Sequence, residues 1–207
     1  MDDRVAVTFI RHGATVNNEK KVYQGWLNTP LLTSEKDRIK QIRNGFPKPQ
    51  KVFSSDLFRS LETARLLFPE HEIETTMLLR ELHFGDFEGK TYAQLKQNQT
   101  YQKWIGSEFQ IPPPNGESIQ MFASRLQTFW ERLYQAFAAD VNEIAVVTHS
   151  GVIRHFLVHF APIEKSFWEW QVPFAGGYRF VTTKERLRRK QRCISFSEVP
   201  LTEKQNG

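Results

Sequence analysis

Apolar residues in this chain recur at two spacings, and the alternation between those spacings predicts the architecture. Val5–Ile10 and Ile144–Val147 are short, nearly unbroken apolar runs rich in β-branched side chains, the pattern of strands buried on both faces. Between and after them the spacing becomes helical. Ile119, Phe122, Leu126, Phe129, Leu133 and Phe137 repeat at threes and fours, predicting a helix from Glu117 to about Ala139. Leu57, Leu61, Ala64 and Leu67/Phe68 do the same from Leu57 to Phe68, after a brief strand at Lys51–Phe53 and with Ser54-Ser55-Asp56 as cap chemistry. Weaker patterns predict a polar helix from Ser34 to about Asn44, with Ile39, Ile42 and Phe46 inward, and a strand near Ile73. They also predict one or two short helices over 91–105, a helix from Val152 to about Phe160, and strands at Tyr178–Thr182 and around Ile194/Phe196. Residues 14–33, 79–89 and 112–116 read as loop, punctuated by Asn, Gly and Pro. Strands alternating with helices indicate a three-layer α/β/α domain with a mainly parallel central sheet, closed by a C-terminal β-hairpin.

Length and composition agree with one soluble domain over 1–207: 40% of residues are hydrophobic and 25% charged. No apolar run is long enough to span a bilayer, and the N-terminus has no signal-peptide pattern. The lone Cys193 admits no intrachain disulfide, which suits a reducing compartment and sets the cytoplasm as the expectation. Residues 184–192 carry six basic side chains against one acid, a net +5 equal to that of the whole chain. The charge therefore describes one segment, read as a solvated hairpin tip rather than a nucleic-acid surface.

The chemistry collects at one sheet edge. Ligands of open α/β sheets bind beyond the carboxyl ends of the strands. Arg11 and His12 leave the first strand there, His149 leaves the strand 144–148 there, and Arg59 lies in the first turn of the helix that follows strand 51–53. Two guanidiniums can grip phosphate oxygens bidentately. A neutral imidazole can attack phosphorus, and crowding by cations keeps it unprotonated. The second imidazole, when protonated, would stabilise charge on the phosphoryl oxygens. A carboxylic acid must then protonate the leaving alkoxide, and Glu81, Asp86 and Glu88 are all within reach in sequence. His155 and His159, four apart on a helix, have the spacing of metal ligands, but no Cys or paired carboxylate joins them. Trp168 and Trp170 suit either a substrate wall or simple packing.

Arg11-His12-Gly13-Ala14-Thr15 with Asn18 resembles the signature of the histidine phosphatase superfamily, in its phosphoglycerate mutase-like branch. The resemblance continues through Tyr23-Gln24-Gly25-Trp26, Asn28-Thr29-Pro30-Leu31, Ser54-Ser55-Asp56-Leu57 with Arg59, and Glu62-Thr63-Ala64. It runs on through Glu81 with Phe84–Gly89, Asn115-Gly116-Glu117-Ser118, and Val147–Arg154. These blocks keep the family's order over roughly residues 4–160, and the Phe84–Gly89 and Asn115–Ser118 blocks look most like α-ribazole phosphatases and their broad-specificity neighbours. The resemblance implies a metal-independent phosphomonoester hydrolase, without cofactor, acting on a small phosphorylated metabolite. A phosphoglycerate mutase and a non-catalytic phosphate-binding module are the alternatives. It also implies that His12 becomes phosphohistidine, that Arg11, Arg59 and His149 form the phosphate pocket, and that Glu81 is the proton donor and acceptor. Asn18, Gln24 and Gly25, with Thr15 and Ser150, would contact substrate. One segment departs from the family pattern: Leu31–Asp37 carries an apparent inserted residue and lacks the family's glycine.

Overall fold

The computed structural model describes residues 3–200. Six strands form one sheet in the order β3-β2-β4-β1-β5-β6: β1 (Arg4–Arg11), β2 (Lys51–Ser55), β3 (Ile73–Thr76), β4 (Glu143–Thr148), β5 (Gly177–Thr183) and β6 (Ser195–Val199). The first four are mutually parallel, and β5 and β6 are antiparallel additions at one edge. The two-residue period of each strand divides the core between the faces. Val5, Val7, Phe9, Ile144 and Val146 join one cluster with Phe122, Leu126, Phe129, Leu133 and Phe156. Ile10, Ala145 and Val147 join the other with Ile39, Ala64 and Leu67. Helices therefore cover both faces: α6 (Ile119–Ala138) and α7 (Ser150–Phe160) on one, α2 (Thr33–Ile42) and α3 (Phe58–Leu67) on the other.

Several local expectations change. The 14–33 region is not all loop, since Thr15 caps a single turn, α1 (Val16–Glu19), with a reciprocal Asn18 capping box. Ser34 does not cap the next helix; Leu32 stands at that position without a side-chain cap. The altered Leu31–Asp37 segment is anchored all the same, with Leu31 bridged to Thr15 and the Leu31 N–H donating to Glu62. Ser54 and Ser55 end β2 rather than capping α3, whose Phe58 N–H donates to Asn28 Oδ1 at 2.9 Å. That cap arrives from the loop, beyond the reach of local sequence. Residues 91–105 resolve into α4 (Tyr92–Leu95) and α5 (Gln99–Gly106).

The basic segment is not a bare hairpin tip. It contains a short helix, α8 (Lys184–Arg188), whose Leu187 is buried and whose Glu185 pairs with Arg189 at 2.5 Å. Arg192 pairs with Glu164. Cys193 is buried just ahead of β6, and burial pushes its thiol up to about 11. Trp170 is packed at 2% exposure, whereas Trp168 is 61% exposed. No helix among the described residues is long and apolar enough to cross a membrane.

Candidate active site

The parallel strands β1 and β4 lie side by side, with Arg11 paired to Thr148, so both deliver their last residues to one place. His12 and His149 stand there with ring centroids 5.1 Å apart. Gly13 follows because there is no room for a side chain: a Cβ would sit 2.7 Å from Glu35 Cγ and 2.8 Å from Ile39 Cδ1.

His12 is held by both ring nitrogens. Nδ1 donates to the Gly13 carbonyl at 2.7 Å, which leaves Nε2 as the unprotonated, acceptor nitrogen. Arg59 Nε donates to that nitrogen at 3.2 Å. The Arg59 guanidinium is 1% exposed, and its remaining reach goes to the carbonyls of Leu27 and Gly25, at 2.8 and 2.7 Å. Burial, then Arg59 and Arg11, hold His12 well below the usual imidazole range. Burial likewise lowers Arg11 and Arg59 to about 10, partly offset by the charge of Glu81. Both guanidiniums stay cationic at neutral pH.

His149 is fully buried, with Nε2 2.9 Å from Ser55 Oγ and 3.3 Å from Ser60 Oγ. Burial and Arg59 hold it well below the usual range, so the ring is neutral rather than protonated. Its Nδ1 is buried without a partner, and so is Arg11 Nε. Arg11 otherwise donates to the Val172 carbonyl and lies 3.8 Å over the Phe174 ring. Buried polar atoms left unpaired are costly. These two unpaired nitrogens belong to residues at the ends of β1 and β4; Arg11 lines the cleft described below, whereas His149 is buried behind it.

Glu81 lies in the irregular stretch after β3. Its Oε2 accepts the Gly151 N–H at 3.0 Å, and Oε1 accepts the Leu82 N–H at 3.0 Å. The approach depends on Gly151, where a Cβ would fall 2.2 Å from Oε1. The Glu81 carbonyl takes two further donors, Trp26 Nε1 and Arg125 Nη2, each at 2.8 Å. Arg125 also donates to the carbonyls of Leu78 and Arg80, and it forks onto Glu117 at 2.8 and 2.9 Å. Sequence reasoning missed Gly151 and Arg125 as parts of this support. Arg125 had a visible signal, since it falls three residues after Phe122 and four before Phe129, on the buried face of α6. Glu88 was considered only as a rival acid. Its carboxylate accepts the N–H groups of Trp26 and Phe84, and burial raises its pKa.

Arg11, His12, Arg59 and Glu81 line one cleft of about 900 Å³, together with Asn18, Gln24, Gly25 and Ser150. Thr15 stands behind that wall, fully buried. Its hydroxyl lies 2.9 Å from Asn18 Oδ1 and 3.0 Å from Gln24 Oε1, so it positions those two amides rather than facing the cleft. His83 stacks on Trp26 at 4.5 Å, and His71 is half-buried against the Pro49 carbonyl. Among the described residues no group of three His, Cys, Asp or Glu side chains is arranged to hold a metal, the His155/His159 pair included.

The histidine phosphatase superfamily (branch 1) family model matches residues 7–193. This chain is a member of that family. The match runs from Val7 in β1 to Cys193, so it takes in every residue of the candidate site. Phosphoglycerate mutase-like protein 4 of Arabidopsis thaliana is 30% identical over 73% of this chain and 69% of its own. An adenosylcobalamin/alpha-ribazole phosphatase of Salmonella typhimurium is 29% identical over 79% and 83%. Among solved structures, the alpha-ribazole phosphatase of Shigella flexneri superposes with a TM-score of 0.74 at 26% identity, covering 85% of this chain and 89% of that one. A phosphoglycerate mutase of Thermus thermophilus gives 0.70 at 25% identity, over 95% and 99%. The family match agrees with the resemblance seen in the sequence, and the superpositions give the chain a phosphoglycerate mutase-like fold. The chain is a histidine phosphatase superfamily enzyme, phosphatase or mutase, and the family acts on small phosphorylated substrates.

Proposed function

We propose that this chain is a metal-independent phosphomonoester hydrolase that works through phosphohistidine at His12. The observation that carries the reading is the state of the His12 ring: neutral, with Nδ1 tied to the Gly13 carbonyl, Nε2 left as the acceptor nitrogen beside Arg59, and buried nitrogens of Arg11 and His149 without partners. In the first step Nε2 attacks phosphorus and the P–O bond to the alcohol breaks. Glu81 supplies the proton that the departing oxygen needs. Arg11, Arg59 and the His149 Nδ1–H hold the phosphoryl oxygens as their charge shifts. In the second step Glu81, now a carboxylate, takes a proton from water, the hydroxide oxygen attacks phosphorus, and the P–N bond breaks. His12 and inorganic phosphate are regenerated. The two guanidiniums neutralise the charge that a metal ion would otherwise balance, so the scheme needs no cofactor. Asn18, Gln24, Gly25 and Ser150, at the wall of the same cleft, contact the substrate. α-Ribazole phosphate and sugar or glycerate phosphates are the candidate metabolites.

The test is hydrolysis of p-nitrophenyl phosphate in EDTA, combined with rapid acid-free quenching of a ³²P-labelled phosphomonoester. The expected result is EDTA-resistant turnover and a phosphoenzyme stable to alkali and labile to acid, absent in His12→Asn. Full activity in His12→Asn would refute the scheme. With 3-phosphoglycerate, release of inorganic phosphate rather than 2-phosphoglycerate separates hydrolase from mutase.

A further inference from the structure

Arg11 is sheathed by a segment that comes far later in the chain. The Val172 carbonyl accepts from its Nη1 at 2.7 Å, and the Gly176 carbonyl accepts its main-chain N–H at 2.8 Å. Between these two anchors the centre of the Phe174 ring lies 3.8 Å from the guanidinium carbon of Arg11 and 6.2 Å from the centre of the His12 ring. The next residue, Ala175, donates its N–H to the His12 carbonyl at 3.3 Å and has a φ of 46°. Residues bearing a Cβ adopt that left-handed conformation rarely, and it persists only where surrounding contacts hold it.

One such contact comes from α2. Arg38 Nη2 donates at 2.8 Å to the Phe174 carbonyl, the peptide group that leads into Ala175. The same guanidinium forks onto the Glu35 carboxylate at 2.9 and 2.6 Å. Glu35 belongs to the Leu31–Asp37 segment that departs from the family pattern, yet its side chain is only 10% exposed. It is seated on the turn that follows His12: its Cγ fills the space 2.7 Å from where a Gly13 Cβ would stand, and the Ala14 N–H donates to its carboxylate. An ion pair three residues apart on an open helix surface contributes little. Here the carboxylate is buried, and the guanidinium joins two segments, the turn that carries His12 and the loop that covers Arg11. Arg38 is itself 43% exposed, so solvent screens its charge and its planar fork does the holding.

A phenyl ring on one face of a guanidinium keeps water from that face, and a poorly hydrated cation attracts an anion more strongly. We infer that Glu35 and Arg38 are positioning residues of the phosphate pocket, which fix the Phe174 carbonyl and thereby seat the Phe174 ring on Arg11. This rests on the reading that Arg11 holds the phosphoryl group, and it gives the divergent Leu31–Asp37 segment a part in the reaction.

The experiment measures the Kd of inorganic phosphate by calorimetry, and reads the same variants by kcat/KM on p-nitrophenyl phosphate. Phe174→Ala and Arg38→Met are each expected to weaken phosphate about five- to tenfold, with Phe174→Tyr, which keeps the ring, restoring most of the affinity. Because Arg38 acts through Phe174, the double variant Phe174→Ala/Arg38→Met should bind phosphate about as well as Phe174→Ala alone. Multiplied losses in the double variant overturn the proposal, and so does wild-type affinity in Arg38→Met. Arg38→Met leaves a buried carboxylate without its counter-charge, so Glu35→Gln/Arg38→Met, which removes both charges, is measured beside it. That pair is expected to show the same loss, and wild-type phosphate affinity in it overturns the positioning role whether or not Arg38→Met folds. If the wild-type protein turns over no phosphomonoester in EDTA but the coupled loss of phosphate affinity is found, the hydrolase reading falls and the positioning role stands.

Discussion

Arg59 Nε points its hydrogen at His12 Nε2 across 3.2 Å, while His12 Nδ1 is tied to its own chain through the Gly13 carbonyl. One guanidinium thus aligns the nitrogen that carries the chemistry, and by its charge helps to keep that nitrogen unprotonated. Lysine has a point charge but no fork, so it cannot donate to Nε2 and reach the Gly25 and Leu27 carbonyls together. Arg59→Lys and Arg59→Ala are each expected to lower kcat/KM about 10²–10³-fold. Full activity in Arg59→Lys would remove the positioning role and leave only charge.

Glu81 is expected to matter in proportion to the basicity of the leaving group. Glu81→Gln should cost alkyl phosphates about 10²–10⁴ in kcat, the usual span for a general acid. For p-nitrophenyl phosphate the loss in the first step should be far smaller, because its phenolate departs without a proton. Single-turnover bursts on both substrates check this, and equal losses would transfer the acid role to another group.

Gly151→Ala separates fold from function. The position lies in the first turn of α7, where alanine is at least as good a helix former as glycine. Its methyl group, however, would occupy space 2.2 Å from Glu81 Oε1. The melting temperature is expected to hold or rise while kcat falls at least about tenfold. Retention of wild-type kcat would mean that Glu81 can work from a different position.

Arg125 and Glu117 form an ion pair with side chains only 13% and 10% exposed, and Arg125 donates to the carbonyls of Leu78 and Arg80 and, beside Trp26, to that of Glu81. Removing the arginine leaves the buried carboxylate without its counter-charge, with the His83 N–H as its remaining donor, and takes a donor from each carbonyl. Arg125→Met is expected to lose about 3 kcal/mol in urea denaturation. Its effect on turnover should follow the Glu81→Gln pattern, heavier on alkyl esters than on the nitrophenyl ester. A uniform loss on both would assign it to stability alone.

Stability should fall as solutions become mildly acidic. His12 and His149 are held well below the usual range, and burial takes His155 down to about 4. Each folded-state value lies under the unfolded one near 6.5, so the unfolded chain takes up protons first. The native state therefore weakens as pH drops below about 6.5, by up to about 1.4 kcal/mol per pH unit for each ring, until that ring itself titrates. The window from pH 6.5 to 5 lies above the ordinary carboxylate range, with Glu88 the one buried carboxyl among the described residues raised towards it, and so reports chiefly the imidazoles. Urea midpoints across it should slope downward, less steeply in His155→Gln, and a flat profile would contradict buried neutral rings.

The sheet strands and the long amphipathic α6 were legible because their patterns are long and strongly periodic. The ends of elements were less so. Asn28 capping α3 from a distant loop, and Leu187 burying the middle of the basic segment as a helical turn, depend on contacts that no local window contains. Arg11, His12, Arg59 and His149 could be gathered by topology, since parallel strands send their ends to one edge. Glu81 could not be chosen over Asp86 and Glu88 on chemistry alone, because all three lie in one irregular stretch.

By itself the sequence determined the layered α/β plan, the sheet edge at which the chemistry meets, and membership in a phosphate-handling family, all from periodicity and short ordered motifs. Tertiary structure alone decided which nitrogen of His12 is the acceptor, that His149 is neutral, that Thr15 supports the wall without forming it, and that the cleft ends in aromatic rings drawn from four segments. The reason is physical. Strand and helix periods are written into neighbouring residues, whereas proton position, desolvation and the walls of a cavity arise from atoms that become neighbours only on folding.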